Sequence, residues 1–261
     1  MRAFSYCDKL VSIRLPSLLK KINDGVFENS HEIATVTIPS SVTYIGQTSF
    51  WCKKLTKIYE ESIIPPQISS TCFYRDLATK NSISTLYVPI GTKTYYQNYS
   101  YWNQIGNIVE DSSLGGIAKI DGIRYFYKNG GAMIISDSLC KGYVSIPSRI
   151  TVNNKVYLVT AIGQGAFKNS TDLTGISFSS NIISIGDSAF YNCTNLQSLS
   201  LPSSIRTIGE NSFNGCTGLT TFEIPKSTTT FAVSAFTGCT NIKTFSVADG
   251  NTTYEAEAGI L

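Results

Sequence analysis

The sequence predicts an α/β solenoid, β-rich, built as two arrays of right-handed coils with short parallel strands and helical turns. Three observations carry this. Phe recurs at a fixed spacing of 23 residues, as Phe4, Phe27, Phe50 and Phe73, and again as Phe167, Phe190, Phe213 and Phe236. The residues between successive Phe repeat a shared pattern of apolar and turn positions. Residues 74–166 break the period and divide the chain into two runs. Self-similarity at a period of roughly 20–50 residues marks stacked coils, each of which needs a neighbour to bury its apolar edge.

The unit is clearest from Gly186 to Ile208. Gly186-Asp187-Ser188-Ala189-Phe190 is expected to form a short helical turn, with Asp187 or Ser188 able to cap free N–H groups. Gln197 to Leu201 follows as a strand, with Leu199 and Leu201 inward and Ser200 outward by the period-two rule. Pro202 ends it, because Pro cannot donate to a ladder. Ser203-Ser204 turn the chain, and Ile205 and Ile208 bury a second extended piece. Phe213, Cys216, Leu219, Phe222, Ile224 and Pro225 repeat the series.

Taken in order, the first array carries the departures. In its third repeat Glu60 holds a position that is elsewhere apolar, and Ile63-Ile64-Pro65-Pro66 follows. The fourth repeat has an insertion between Phe73 and Pro89. The Tyr-rich stretch Tyr95 to Trp102 and the closing Ile108-Val109-Glu110 then read as a short helix and a tail that cap the open end. Asp111 to Gly116 reads as a linker. Ile123 to Tyr127 and Ala132 to Ile135, around Lys128-Asn129-Gly130-Gly131, read as a β-hairpin. Val144-Ser145-Ile146-Pro147 is expected to pair with Val156 to Thr160, with Asn153-Asn154 near the turn. The expected division is therefore residues 1–110, a first array with its C-terminal cap, and residues 111–261, a hairpin cap followed by the second array. Met1-Arg2-Ala3-Phe4 opens inside a repeat and Gly259-Ile260-Leu261 ends abruptly, so a piece of a longer chain is expected.

Composition bounds the chemistry. Charged residues make up 15% of the chain, below the usual quarter, and the net charge is only +3. Lys and Arg are scattered, so no nucleic-acid footprint is expected. The seven Cys are an odd number, which argues against a fully paired disulfide framework. Cys7, Cys193, Cys216 and Cys239 each follow a repeat Phe by three, so they read as small buried hydrophobes. Stacking could still bring Cys193 and Cys216 close enough for a disulfide. No Cys/His cluster suggests a metal, no apolar run is long enough for a transmembrane helix, and no secretory signal opens the chain.

The phrases IGDSAFYNCTNLQSLSLPSSIRTI and VTIPSSVTYIGQTSF resemble the BspA-type leucine-rich repeat of surface proteins in Bacteroidetes and some parasitic protists. LYVPIGTKTYYQNYSYWNQIGNIVE is similar to the end cap of such arrays, and GYVSIPSRITVNNKVYLVTAIGQGAF to their beginnings. Ser30 and Ser170 depart from the pattern by replacing the repeat Cys. The resemblance implies a curved leucine-rich-repeat solenoid, export to the cell surface or secretion, and adhesion or protein binding. It transfers no particular ligand.

Catalytic chemistry finds little support. His31, the only histidine, is expected in a solvent-facing turn, with no second His for a triad. Glu60 and Glu61 would face opposite sides of a strand and read as solvated charges rather than an acid–base pair. No cofactor is expected, and no enzyme activity. The natural binding surface is the outward face of the strands, mostly Ser and Thr, which cross-strand hydroxyl ladders explain without a ligand. Arg14, Thr35, Thr37, Lys57 and Tyr59 are the candidate protein-binding residues, all in the first array. The expected function is non-enzymatic binding of a protein partner, host or extracellular-matrix proteins among them. The alternatives are glycan binding, through the Tyr-rich cap or the hydroxyl-lined strands, and a structural spacer in a larger surface protein.

Overall fold

Stacked phenylalanines form a spine through each run of coils. In the first, Phe4, Phe27, Phe50 and Phe73 follow one another at 5.6, 5.4 and 6.2 Å between ring centroids. In the second, Phe167, Phe190, Phe213 and Phe236 stack at 5.1, 5.2 and 5.0 Å, within 14° of parallel. Offset aromatic pairs add about 0.5–1.5 kcal/mol each beyond their burial, so each spine is a continuous cohesive column. The computed structural model describes residues 2–73, 83–136 and 140–255. Most of the expected fourth-repeat insertion, and the Gly259-Ile260-Leu261 end, lie outside the described residues.

The chain forms two compact units, Met1–Ile117 and Ala118–Leu261. In the first, strands Thr35–Ile38, Lys57–Glu60, Thr85–Val88 and Ile108–Glu110 pair in that order, all parallel. A second edge of the same coils pairs Lys21–Ile22, Tyr44–Ile45 and Gln67–Ile68, also parallel. In the second unit the corresponding ladders are Gly142–Ser145, Leu173–Ser177 and Ser198–Leu199, then Thr221–Ile224 with Thr244–Val247. Its other edge runs through Ser184–Ile185, Thr207–Ile208 and Thr230–Phe231. One coil supplies one strand to each ladder, which is why the sequence period and the strand-to-strand step coincide.

The expected helical turn is instead a chain of tight turns. Ala189 N–H donates to Gly186 O at 3.2 Å and Tyr191 N–H to Ser188 O at 3.1 Å. Ser188 at φ 54° and Asn192 at φ 59° reverse the backbone hand between them, so no helix can propagate. Asp187 does not cap its own turn. Its Oδ1 accepts from Glu210 N–H of the next coil at 2.9 Å, as Asp24 does from Gln47 at 2.8 Å. Glycine opens the turn for a steric reason: a Cβ at Gly209 would sit 2.7 Å from Asp187 N and 2.8 Å from Gly186 C. Ala232 occupies this position in the last complete repeat, and there the turn chain gives way to a 3-10 helix, Val233–Phe236.

The repeat Cys has a polar job as well as an apolar one. Cys193, Cys216 and Cys239 each donate through Sγ to the carbonyl of the previous coil's Phe, at 3.0 Å. Cys52 does the same to Phe27 O at 3.2 Å, although it follows Phe50 by two rather than three. Ser30 makes the identical bond to Phe4 O at 2.7 Å, which is why Ser substitutes here without disturbing the coil. All seven Cys are free thiols, which closes the disulfide question for Cys193 and Cys216. Burial pushes the Cys52 thiol up to about 12, and raises Cys72 as well.

Two connections differ from expectation. The Asp111–Gly116 segment is folded rather than a loose linker: Asp111 caps a 3-10 turn, Ser112–Leu114, by accepting from Ser113 N–H at 2.8 Å, and Leu114 is buried. Val144 does not pair with Val156 to Thr160. Gly142–Ser145 lies parallel to Leu173–Ser177, while Arg149–Val152 pairs antiparallel with Lys155–Ile162. Pro147 separates the two strands, and Asn153 and Asn154, at φ 49° and 61°, make the two-residue turn with both central residues left-handed. The hairpin at Ile123–Lys128 and Gly131–Ile134 forms as expected, on Asn129 and Gly130 at φ 50° and 79°.

Candidate functional site

The outward face of the first-unit sheet brings the five sequence-predicted residues together. Alternation along Thr35–Ile38 and Lys57–Glu60 buries Val36, Ile38, Ile58 and Glu60 and leaves Thr35, Thr37, Lys57 and Tyr59 outward. Parallel register then sorts them into two rows. Arg14 bridges to Thr37, Thr37 pairs with Tyr59, and Tyr59 with Tyr87. The second row is Thr35, Lys57 and Thr85.

Tyr87 and Thr85 extend the face and were not among the predicted residues. The Tyr59 and Tyr87 rings stack at 4.5 Å and 7°, and Asn107 Nδ2 donates to Thr85 Oγ1 at 3.3 Å. The insertion after Phe73 hid them by throwing the fourth repeat out of register. The available signal was the alternating Leu86-Tyr87-Val88-Pro89, which mirrors Val36-Thr37-Ile38-Pro39. Arg14 and Lys57 are exposed, and neither forms an ion pair among the described residues. The face thus combines two uncompensated cations with a rigid phenol pair.

The corresponding face in the second unit mixes hydroxyls with Tyr143, which is 65% exposed, and with the outward Glu223. Ser177 Oγ donates to Ser145 Oγ at 3.1 Å, Thr221 pairs with Thr244, and Glu223 with Ser246. Gly175 is buried, its bare backbone paired between Gly142–Ser145 and Ser198–Leu199.

The Tyr-rich cap divides into two groups. Tyr96, on helix Lys93–Asn98, and Trp102, on the 3-10 turn Trp102–Gln104, are fully buried. Tyr96 Oη donates to Ser62 O and Trp102 Nε1 to Pro66 O, both at 2.8 Å, and Trp102 meets Phe73 edge-on at 5.7 Å, closing the spine. Tyr99 and Tyr101 remain 38% exposed. With Gln67, Ile68, Asn98 and Ser100 they line a cavity of about 310 Å³. Tyr101 sits at φ 69°, ψ −33°, outside the regions a bulky residue favours, at a cost of about 1–3 kcal/mol.

Glu60 is not a solvated charge. It is fully buried, Oε1 accepts from Ser62 N–H at 3.1 Å, and Oε2 has no hydrogen-bond partner among the described residues. Burial, and secondarily the neighbouring Glu61 carboxylate, hold its carboxyl well above the usual range. It occupies an inward strand position because the alternation leaves it no other side; the adjacent Glu61 is half-buried. His31 is also less free than expected, with Nδ1 accepting from Lys53 N–H of the next coil at 3.4 Å. No group of three or more His, Cys, Asp or Glu able to hold a metal exists among the described residues. No helix among them is long and apolar enough to cross a membrane.

Several solved structures are similar to this chain. One is a leucine-rich repeat protein from Bacteroides capillosus, 26% identical, with a TM-score of 0.47 over 51% of this chain and 98% of that one. Another is a leucine rich cell surface protein from Faecalibacterium prausnitzii, 26% identical, with a TM-score of 0.42 over 99% of this chain and 66% of that one. A third is the pneumococcal vaccine antigen PcpA, 18% identical, with a TM-score of 0.44 over 89% of this chain and 55% of that one. No curated protein sequence matches. The BspA type leucine rich repeat region matches residues 1–105 and 134–258, in 6 copies. With the Phe spine, the parallel ladders and the coil-to-coil register, that match places the chain in the BspA-type leucine-rich-repeat family.

Proposed function

We propose that this chain is a non-enzymatic binding module of a cell-surface or secreted protein, and that the outward sheet face of its first unit contacts a protein partner. The observation that carries the reading is the row Arg14, Thr37, Tyr59 and Tyr87 with Lys57 beside it. Tyr and Arg are the side chains most often found at the energetic centre of protein interfaces. The stacked phenols are held rigid before any partner arrives, which lowers the ordering cost of association. Two unpaired cations on the same face favour a partner surface with acidic groups, and make attachment sensitive to salt. Repeat stacking also presents related positions side by side, so many weak contacts can act together. Host and extracellular-matrix proteins are the proposed partners, and adhesion the proposed role.

The test is attachment of the purified chain to immobilised collagen, fibronectin and laminin at two ionic strengths. Saturable binding that weakens at least tenfold in the Arg14→Ala, Lys57→Ala, Tyr59→Ala triple variant, and falls with added salt, supports the site. Binding that the triple variant leaves unchanged rules this face out. No attachment to any of the three proteins counts against the matrix partners.

A further inference from the structure

We infer that the cap of the first unit carries a site for a neutral pyranose ring of a glycan, in the cavity between Gln67-Ile68 and Asn98–Tyr101. This site is separate from the protein-contact face and does not depend on it. The lining is what a sugar ring asks for. A pyranose has an apolar face of C–H groups and a rim of hydroxyls. Tyr99, Tyr101 and Ile68 offer the apolar surface, and Gln67, Asn98 and Ser100 the polar groups. Each side-chain amide has both donors and an acceptor, which suits the paired hydroxyls of a sugar. None of these five polar side chains (Gln67, Asn98, Tyr99, Ser100, Tyr101) makes a hydrogen bond to another described residue. They are exposed, unsatisfied by protein, and converge on one concavity.

Among the described residues no charged side chain lines the cavity, which favours a neutral sugar over a sialic or uronic acid. Its volume, about 310 Å³, falls at the lower end of the roughly 300–1,000 Å³ found for small-molecule sites. Both walls are fixed. Gln67 and Ile68 are pinned to Tyr44 and Ile45 of the preceding coil. The opposite wall is anchored by the buried Tyr96 and Trp102 hydrogen bonds, and braced by Asn103 N–H to Tyr99 O at 3.1 Å. Tyr101 holds a left-handed backbone while the residue stays 38% exposed. Such strain gathers at ligand-holding positions, and here it fixes a ring at the rim of the cavity.

The test is saturation-transfer NMR of the full chain with the methyl glycosides of glucose, galactose, mannose, fucose, N-acetylglucosamine and N-acetylgalactosamine, with N-acetylneuraminic acid as the charged control. At least one neutral glycoside is expected to receive saturation. The signal should fall at least tenfold in Tyr99→Ala and in the Gln67→Ala, Asn98→Ala pair. Tyr101→Gly should lose the signal while its Tm stays unchanged or rises, because glycine tolerates the backbone that tyrosine strains. The Arg14→Ala, Lys57→Ala, Tyr59→Ala variant should keep it, which separates this site from the protein-contact face. Absence of transfer to every neutral glycoside overturns the inference. So does transfer that survives the cap variants, preference for N-acetylneuraminic acid, or a Tyr101→Gly protein with a lowered Tm, which would make the ring a packing residue.

Discussion

The two runs of coils share an interior and differ on their surfaces. Both stack Phe on Phe, both bond a thiol or hydroxyl to the preceding Phe carbonyl, and both step by one coil per repeat. Outside, the first carries two cations, Arg14 and Lys57, and the stacked Tyr59–Tyr87 pair, while the second carries the Ser145–Ser177 hydroxyl pair, a single exposed Tyr143 and an acidic Glu223. The first also buries a carboxyl, Glu60, and is closed by an aromatic cap. The lesson is that the repeat specifies only inward positions. Outward positions answer to no packing constraint, so they are where the two runs can acquire different work.

The shared interior can be broken most strongly at the spine. Phe213→Ala, with neighbours stacked on both sides, should destabilise the second unit by about 3–5 kcal/mol. Phe4→Ala, 51% exposed at the end of the first stack, should cost about 1 kcal/mol or less. Urea unfolding followed by far-UV circular dichroism measures both. Equal losses would show that the spine is not a column supported from two sides.

Glu60 sharpens the difference between the units through pH. Its folded-state pKa lies above the unfolded one, so the folded first unit holds a proton that the unfolded chain releases above about pH 4.3. The Glu60 contribution is therefore complete below that pH and is lost as pH rises toward the raised value. Tyr96 faces the same region, and the Glu60 charge raises its phenol further. Glu60→Gln keeps the acceptor for Ser62 N–H and removes the titration. It should flatten the pH dependence and stabilise the first unit by about 1–3 kcal/mol at pH 7. Thermal melts from pH 4 to 8 test this; a variant with the wild-type slope would show that Glu60 is not the group responsible.

The thiol-to-carbonyl bond provides a finer comparison. Cys216→Val fills similar space but removes the donor to Phe190 O, and should cost about 0.5–1.5 kcal/mol. Ser30→Cys, which keeps a donor in the first unit, should stay within about 1 kcal/mol of wild type. A Cys216→Val protein as stable as wild type would reduce the repeat Cys to packing alone. Smallest of all, Thr48→Gly should stabilise the first unit by about 0.4–1 kcal/mol. Thr48 is a β-branched residue at φ 50° where Gly25 and Gly165 stand in other coils. A lowered urea midpoint would mean that the Thr48 side chain contributes more than its backbone strain costs.

Where the repeat was regular, the sequence was easy to read. The Phe register, the strand alternation and the proline stops follow from period and sterics, and the five candidate residues of the first face followed from them. The failures were local. Tyr87 was hidden by an insertion, and Glu60 was misjudged because carboxylates are normally solvated, whereas strand alternation turned this one inward. The pairing of Gly142–Ser145 went astray because it depends on which distant strand lies alongside, and nothing within the segment encodes that.

By itself the sequence determined the coil, its 23-residue step and which side chains must face the interior, because a periodic apolar pattern has only one way to be buried. Tertiary structure decided what meets across coils. It put Tyr59 against Tyr87, turned Asp187 toward Glu210 rather than its own turn, and split the tyrosines of the cap into buried anchors and an exposed rim. These contacts join residues more than twenty positions apart through the exact height and register of stacking, a property of the assembled coils that no single repeat contains.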